Sequence, residues 1–419
     1  MAGDLTLSVS LEPRPYLLAN KVQHYVWGSR GPDAFIPRLL GIRGEKDRPY
    51  AELWMGTHPN APSDVVVDGA RVPLPQLLSR YPLEILGEEV YARFGGAFPF
   101  LFKVLSAAEV LSIQAHPNKT QAERLHAQDP EHYADDNHKP EIAIALDSLM
   151  ALVGFRGLDE IAQVLERYPE LADFVGQEVV GQLRGAERAP RDLVRLVYAT
   201  LMRRSITHQE ELAASIAQLS QRLRRSGDSL TQEEQIFLDV EKKYAADVGL
   251  YSIFLLKLVH LERGQGLFTG PGVPHAYLKG NIVECMATSD NVVRAGLTPK
   301  FKDVETLVDL LTYETEPVAI LGGEPEEDRV VYRAPVAEFQ VSRWKVKPGR
   351  ERVRGNTPGI LLITQGQVRV RWGAGSKGGE MALQRGQSVL VPAFLDEFEL
   401  VSSDHAELFQ AIVPPLHDA

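Results

Sequence analysis

The hydrophobic period of this chain changes twice, and those two changes limit its fold more than any other feature. From residue 158 the apolar positions Leu158, Ile161, Ala162 and Leu165 lie on one helical stripe. Leu212, Ile216, Leu219 and Leu223 repeat the stripe, and glycine and proline become sparse after Pro190. Before it, short β-like runs such as Asp64-Val65-Val66-Val67 and Phe100-Leu101-Phe102-Lys103-Val104-Leu105 are punctuated by turn formers, as in an all-β domain. Pro62-Ser63 and Pro73 break this early part into loops and short strands. β-like sequence resumes near Leu258 and runs to about Met286, and a short helix is expected over Val304–Leu311. The acidic run Glu324-Pro325-Glu326-Glu327-Asp328 reads as a linker or exposed loop, and residues 330–415 read as β. The pattern predicts a mainly β protein with a helical insertion. Its expected divisions are 1–157 with 258–316, then 158–257, then 317–419.

A short internal repeat supports two related β units. Leu261-Glu262-Arg263-Gly264-Gln265 recurs as Leu383-Gln384-Arg385-Gly386-Gln387, each followed by an apolar strand and a proline. In this alignment His275 falls opposite Glu397. No histidine lies between His275 and His405, so metal ligands are expected in the first of the two repeats only.

A chain of 419 residues is too long for one ordinary core. The net charge of -11 argues against general nucleic-acid binding, which needs a basic footprint. The clusters Arg203-Arg204 and Arg222 with Arg224-Arg225 read as a solvated helix face. An anionic substrate must therefore meet a local group of lysines and arginines. The single cysteine, Cys285, excludes an intramolecular disulfide and fits a reducing compartment. Residues Met1–Asn20 lack the charged start and apolar run of a signal peptide. No apolar run reaches membrane-spanning length. A cytoplasmic location with no membrane partner is expected.

Three segments carry candidate chemistry: Ser112 to Lys119, Asn137 to Glu141, and Pro274 to Tyr277. Gln114 and His116 are two apart, so on a strand they share a face. With Glu141 and His275 they offer an amide oxygen, two imidazoles and a carboxylate. That set can hold one divalent metal with a position left open. Zinc suits it, and iron or manganese would also bind. With one charged ligand, the site would keep about one unit of positive charge, useful at a carbonyl or oxyanion. Lys139, two residues before Glu141, is expected on the same face, where it could move protons or neutralise an intermediate. The stretch from Asn281 to Lys300 offers Glu284 and Asp290 as proton carriers, and Arg294 and Lys300 as anion binders. These residues alone would also suit an iron-dependent oxygenase or a non-catalytic sugar- or phosphate-binding protein.

Several blocks resemble the type I mannose-6-phosphate isomerases (phosphomannose isomerases), zinc enzymes of the cupin superfamily. They are Tyr25-Val26-Trp27-Gly28; Ala51 to Pro59; Pro99 to Leu105 running into Gln114-Ala115-His116-Pro117-Asn118-Lys119; Asn137-His138-Lys139-Pro140-Glu141; and Pro274-His275-Ala276-Tyr277-Leu278 through Asn291 to Lys300. The resemblance implies one zinc per chain on Gln114, His116, Glu141 and His275. It implies Arg294 as the active-site arginine, with Lys139, Glu284 and Asp290 close to the sugar; His138 is a candidate to assist ring opening. Ser112 and Lys300 match positions associated with the substrate phosphate, and Trp27 and Tyr277 fall at the substrate pocket. The implied reaction interconverts mannose 6-phosphate and fructose 6-phosphate through a cis-enediol, feeding mannose metabolism and GDP-mannose synthesis. The implied fold is two cupin-like jelly-roll or β-barrel domains with an α-helical domain. The discontinuous segment 1–157 with 258–316 would be the catalytic one, and a monomer is expected.

Overall fold

A computed structural model describes residues 10–183, 189–227, 229–374 and 378–415. Contacts divide the chain into two compact units: Met1–Ser106 with Val283–Thr288 and Leu321–Ala419, and Ala107–Ile282 with Ser289–Ile320. The boundaries read from the sequence mark changes of secondary-structure type, which is a different property from contact.

The first unit joins the two ends of the chain through β pairing. Strand Tyr16–Ala19 pairs antiparallel with Ser388–Val391, Tyr16 facing Leu390, and on its other side with Asp64–Val67. It is thereby an inner strand of a nine-stranded sheet. A second, four-stranded sheet contains Gly349–Arg354, Glu397–Ser402, Gln367–Trp372 and Gly379–Gln384. In Gln367–Trp372 the valines Val368 and Val370 are buried while Gln367 and Arg369 are exposed, the period of two that one buried face demands. Val368 and Val370 join Leu361, Ile363, Val389 and Leu408 of the larger sheet in one apolar cluster.

Two expectations for this unit fail. The early part contains helices, Phe35–Leu40, Leu74–Arg80 and Pro82–Phe94. Its prolines start helices as well as break strands: Pro73 ends a strand and is the N-cap of Leu74–Arg80, and both later helices carry proline in their first turn. There the missing N–H costs nothing. The acidic run is largely exposed, as expected, but it forms a hairpin in place of a linker or loop. Glu324–Glu326 pairs with Arg329–Tyr332 as a hairpin at the sheet edge, its charge met by Arg329 and Arg333 on Glu326.

The second unit is built on the fifteen-residue strand Glu141–Phe155. It pairs with Leu256–Glu262, Ala151 facing Val259, and with Gly266–Thr269, Glu141 facing Thr269. Between Phe155 and Leu256 the elements among the described residues are helices, from Leu158–Arg167 to Gly249–Leu255. Helix Gln209–Arg225 buries Leu212, Ile216, Leu219 and Leu223, the stripe seen in the sequence. They pack with Leu165, Val194, Tyr198, Phe237 and Phe254. Four of the five clustered arginines are paired with carboxylates: Arg203 with Glu305, Arg204 with Glu211, Arg222 with Glu170 and Arg224 with Glu241. That is a solvated ion-pair face, worth little stability per pair. Among the described residues, no helix is long and apolar enough to cross a membrane. The short helix near residue 304 spans Val304–Leu310.

The internal repeat is a recurring turn. Gly264 and Gly386 both have left-handed φ, 82° and 85°. Gln265 N–H donates to the Glu262 carbonyl at 2.9 Å, and Gln387 N–H to the Gln384 carbonyl at 3.0 Å. The side-chain oxygens of the same glutamines accept from Glu262 N–H at 2.7 Å and Gln384 N–H at 2.8 Å. Each glycine also donates to a neighbouring strand, Gly264 to Ala145 and Gly386 to Ile363, both at 2.8 Å.

The long strand His275–Ala287 approaches Glu141–Phe155 closely at Gly280. A Cβ there would lie 2.1 Å from the Ser148 carbonyl oxygen, and its φ is +141°. Gly280→Ala is therefore expected to destabilise the protein by about 2–4 kcal/mol. Calorimetry should record this as a lower unfolding temperature, and an unchanged one would refute the close approach.

Candidate active site

Strand Ile113–Ala115 lies between two neighbours, and Gln114 is the register partner of both His275 and Arg294. Directly opposed residues of antiparallel strands project to the same face. Gln114, His275 and Arg294 therefore share one face. The strand ends at Ala115, so His116 lies just beyond it. Glu141 opens its own strand, and Lys139 precedes that strand in irregular chain instead of lying on it.

The donor atoms of His116, Glu141 and His275 all lie within 4.8 Å of one another, and all three residues are buried. His116 Nε2 is 3.5 Å from one carboxylate oxygen of Glu141, and His275 Nε2 is 3.4 Å from the other. The opposite ring nitrogens are engaged: His116 Nδ1 with the Asn291 carbonyl at 2.8 Å, His275 Nδ1 with the Val273 carbonyl at 2.9 Å. A carbonyl only accepts, so each Nδ1 carries the hydrogen and each Nε2 presents its lone pair inward. Both Nε2 atoms and Glu141 Oε2 lack a hydrogen-bond partner among the described residues. Leaving a buried polar atom unsatisfied costs about 1–3 kcal/mol, and a cation between the three would satisfy all of them. The donor set of two imidazoles and a carboxylate fits a divalent metal.

The electrostatics suit the same role. Burial pushes His116 down to about 4, so its imidazole is neutral near pH 7. Burial alone would raise the Glu141 carboxyl, but Lys139 and then His116 hold it well below the ordinary carboxylate range. The Lys139 ammonium stands 3.3 Å from Glu141 Oε1. Arg294 is half-buried, and burial lowers its pKa from the usual arginine value while leaving it a cation.

The remaining candidates of this unit are more open. Ser112 and His138 are half-buried, and Asp290 and Lys300 are exposed. Tyr277 is buried, its ring centroid 6.3 Å from that of His275.

Two residues that sequence reasoning passed over, Asp135 and Asn291, hold this arrangement together. The Asp135 carboxylate accepts from Asn137 N–H at 3.0 Å, Ser289 Oγ–H at 2.8 Å, Asp290 N–H at 2.7 Å and the Asn291 side-chain amide at 3.2 Å. The same Asn291 amide reaches the Asp135 and Asn137 carbonyls at 2.6 and 2.9 Å. Asn291 is fully buried, and its own carbonyl orients His116. Asp135 thus ties the segment bearing His138, Lys139 and Glu141 to the one bearing Asp290 and Arg294. The available signal was an acid just before the Asn-His-Lys-Pro-Glu block and an asparagine inside the later one.

Comparison with known proteins agrees over most of the chain. A family profile described as phosphomannose isomerase type I, catalytic domain, matches residues 16–158. Mannose-6-phosphate isomerase 2 of Arabidopsis thaliana is 38% identical over 411 residues, covering 93% of this chain and 91% of the relative. Mannose-6-phosphate isomerase of Schizosaccharomyces pombe is 37% identical over 415 residues, covering 94% and 99%. The chain belongs to the type I phosphomannose isomerase family. The fold agrees as well. A mutant of phosphomannose isomerase from Salmonella typhimurium superposes with TM-score 0.85 at 29% identity, over 96% of this chain and 100% of the other. A zinc-bound mannose 6-phosphate isomerase superposes with TM-score 0.84 at 30% identity, with the same coverage.

Two residues assigned to the phosphomannose isomerase site by resemblance lie in the other compact unit. Glu284 is buried there, 3.2 Å from the Lys103 ammonium. Lys103 also stands 3.6 Å from Glu52 and over the Trp54 ring. Sequence reasoning did not single out Lys103, although a lysine inside the fully buried strand Phe100–Ala107 is a strong signal, because buried charges need partners. Trp27 is half-buried and stacks on Tyr25, centroids 5.8 Å apart.

Asp135→Ala should loosen His116 and the Asn137–Glu141 segment together. The expected loss is about 10-fold in divalent-metal affinity, the lower end of the cost of disturbing the groups that orient a ligand, measured by competition with a chromogenic chelator. Wild-type affinity would mean that Asp135 only shapes the loop.

Proposed function

We propose that this chain is a zinc-dependent aldose-ketose isomerase interconverting D-mannose 6-phosphate and D-fructose 6-phosphate. The observation that carries the reading is the buried His116–Glu141–His275 group, with its unsatisfied donor atoms turned inward, in a chain that matches a mannose-6-phosphate isomerase over 94% of its length. Gln114 would complete the ligand set, since its register places it on the face that bears His275. The bound zinc, one per chain, would supply positive charge where the substrate carbonyl becomes an oxyanion.

The difficult step is removal of a proton next to that carbonyl. The opened sugar passes through a cis-enediol, the proton moving between C1 and C2. Glu284 or Asp290 carries the proton. Lys139 and Arg294 stabilise the enediolate oxygens, and His138 assists ring opening. Ser112 and Lys300 hold the phosphate, while Trp27 and Tyr277 shape the pocket. We assign 1–157 with 258–316 to a catalytic cupin-like domain, 158–257 to a helical insertion and 317–419 to a second cupin-like domain. The reading includes a cytoplasmic monomer that supplies mannose 6-phosphate for mannose metabolism and GDP-mannose synthesis.

A coupled assay of mannose 6-phosphate conversion tests the reading directly. Activity should disappear on chelation and return with zinc. A folded, zinc-loaded sample without turnover would overturn the proposal. Arg294→Ala should lower kcat by about 10²–10³-fold, the scale for removing one transition-state donor, with zinc content by atomic absorption unchanged. Parallel loss of zinc and activity would make Arg294 a structural residue instead.

A further inference from the structure

The loop from Arg294 to Lys302 is held in place by one carboxylate from the helical segment. Asp247 Oδ1 accepts from Leu297 N–H at 2.7 Å and from Gly249 N–H at 2.8 Å. Asp247 Oδ2 pairs with the Lys302 ammonium at 2.9 Å. The Asp247 side chain is 9% exposed, so its carboxylate meets these three partners largely out of solvent. The grip therefore falls three residues before Lys300 and two residues after it.

The conformation held is one the loop would not adopt by itself. Leu297 has a φ of +54°, in the left-handed region that branched side chains avoid. Its side chain is buried in the helical core. Backbone meets backbone at the same point. A Cβ on Gly296 would lie 2.5 Å from Gly249 Cα, and one on Gly249 would lie 2.6 Å from Leu297 N. Inside the loop, Thr298 Oγ1 accepts from Lys300 N–H at 3.2 Å. Lys300 itself is exposed.

We infer that Asp247 is a positioning residue for the phosphate end of the substrate, through which the helical segment sets the place of Lys300; this rests on the isomerase reading given above. Its contacts lie on the loop's backbone and on Lys302. Its removal should therefore weaken substrate capture more than it slows the chemical step.

The test uses the full-length, zinc-loaded enzyme. Asp247→Ala should raise KM for mannose 6-phosphate about tenfold, on the scale of a small misplacement of a binding group, with a smaller fall in kcat and unchanged zinc content. The concentration of inorganic phosphate that half-inhibits the enzyme should rise in proportion to KM. Asp247→Asn keeps an acceptor for Leu297 and loses the charge facing Lys302, so it should fall between Asp247→Ala and wild type. If Asp247→Ala does not fold, Lys302→Met examines the same grip away from the helix start, with an expected KM rise of about threefold. Wild-type KM and phosphate inhibition in whichever folded variant is measured would overturn the inference, as would a fall in kcat at constant KM. A wild-type, zinc-loaded enzyme with no turnover would overturn the isomerase reading instead.

Discussion

A carboxylate shut away from water is the constraint on which this site depends. The Glu141 side chain is 3% exposed. A buried, unpartnered carboxylate would cost several kcal/mol or take up a proton. Here Lys139 and two imidazoles face it, and it stays ionised. The compensation is electrostatic and incomplete in hydrogen bonds, because both imidazoles give their one hydrogen to backbone carbonyls on the far side. An ionised acid and two inward lone pairs within 4.8 Å of one another are an arrangement suited to a cation, while the adjacent ammonium keeps the acid ionised. A core that sought only stability would do better with apolar side chains of similar volume.

Such a cluster needs fixed loops, and two acids that are not in it provide them. Asp135 gathers donors from the segments on either side of the metal group, and Asp247 grips the loop that ends in Lys302. The reason is the same in both places. Irregular chain near a buried site has N–H groups that no strand or helix satisfies, and a carboxylate can accept several at once. The acids therefore substitute for secondary structure where the site requires backbone that is neither helix nor strand.

The contrast explains what could be read from the sequence. The helical stripes at Ile161 and Leu165 and at Leu212 to Leu223 depend only on residues within one element, and both appear as buried faces. The three metal-group residues were legible because imidazoles and a carboxylate are uncommon in otherwise apolar, β-like segments. Asp135, Asn291, Asp247 and Lys103 act across long stretches of chain, 156 residues for Asp135 and Asn291 and 181 for Lys103 and Glu284. No local period reports such pairs. The helices Leu74–Arg80 and Pro82–Phe94 were missed for a different reason: proline at a helix start and proline in a loop look alike in sequence, and only the chain that follows separates them.

The recurring turn shows how separable folding and chemistry are in this protein. Gly264-Gln265 and Gly386-Gln387 build the same backbone geometry from the same hydrogen bonds, one in each compact unit. Eleven positions after the first glycine stands His275, buried and facing Glu141. At the same offset after the second stands Glu397, exposed on a strand and opposite Arg354. A glycine that tolerates positive φ and a glutamine that folds back on its own strand are sufficient for the turn. Neither helps to hold a metal. The turn can therefore be kept for its contribution to the sheet in both units, while the residues that make a site vary independently of it. For that reason the repeat by itself is a guide to fold, and the loops that carry His116, Asn291 and Arg294 are the guide to function.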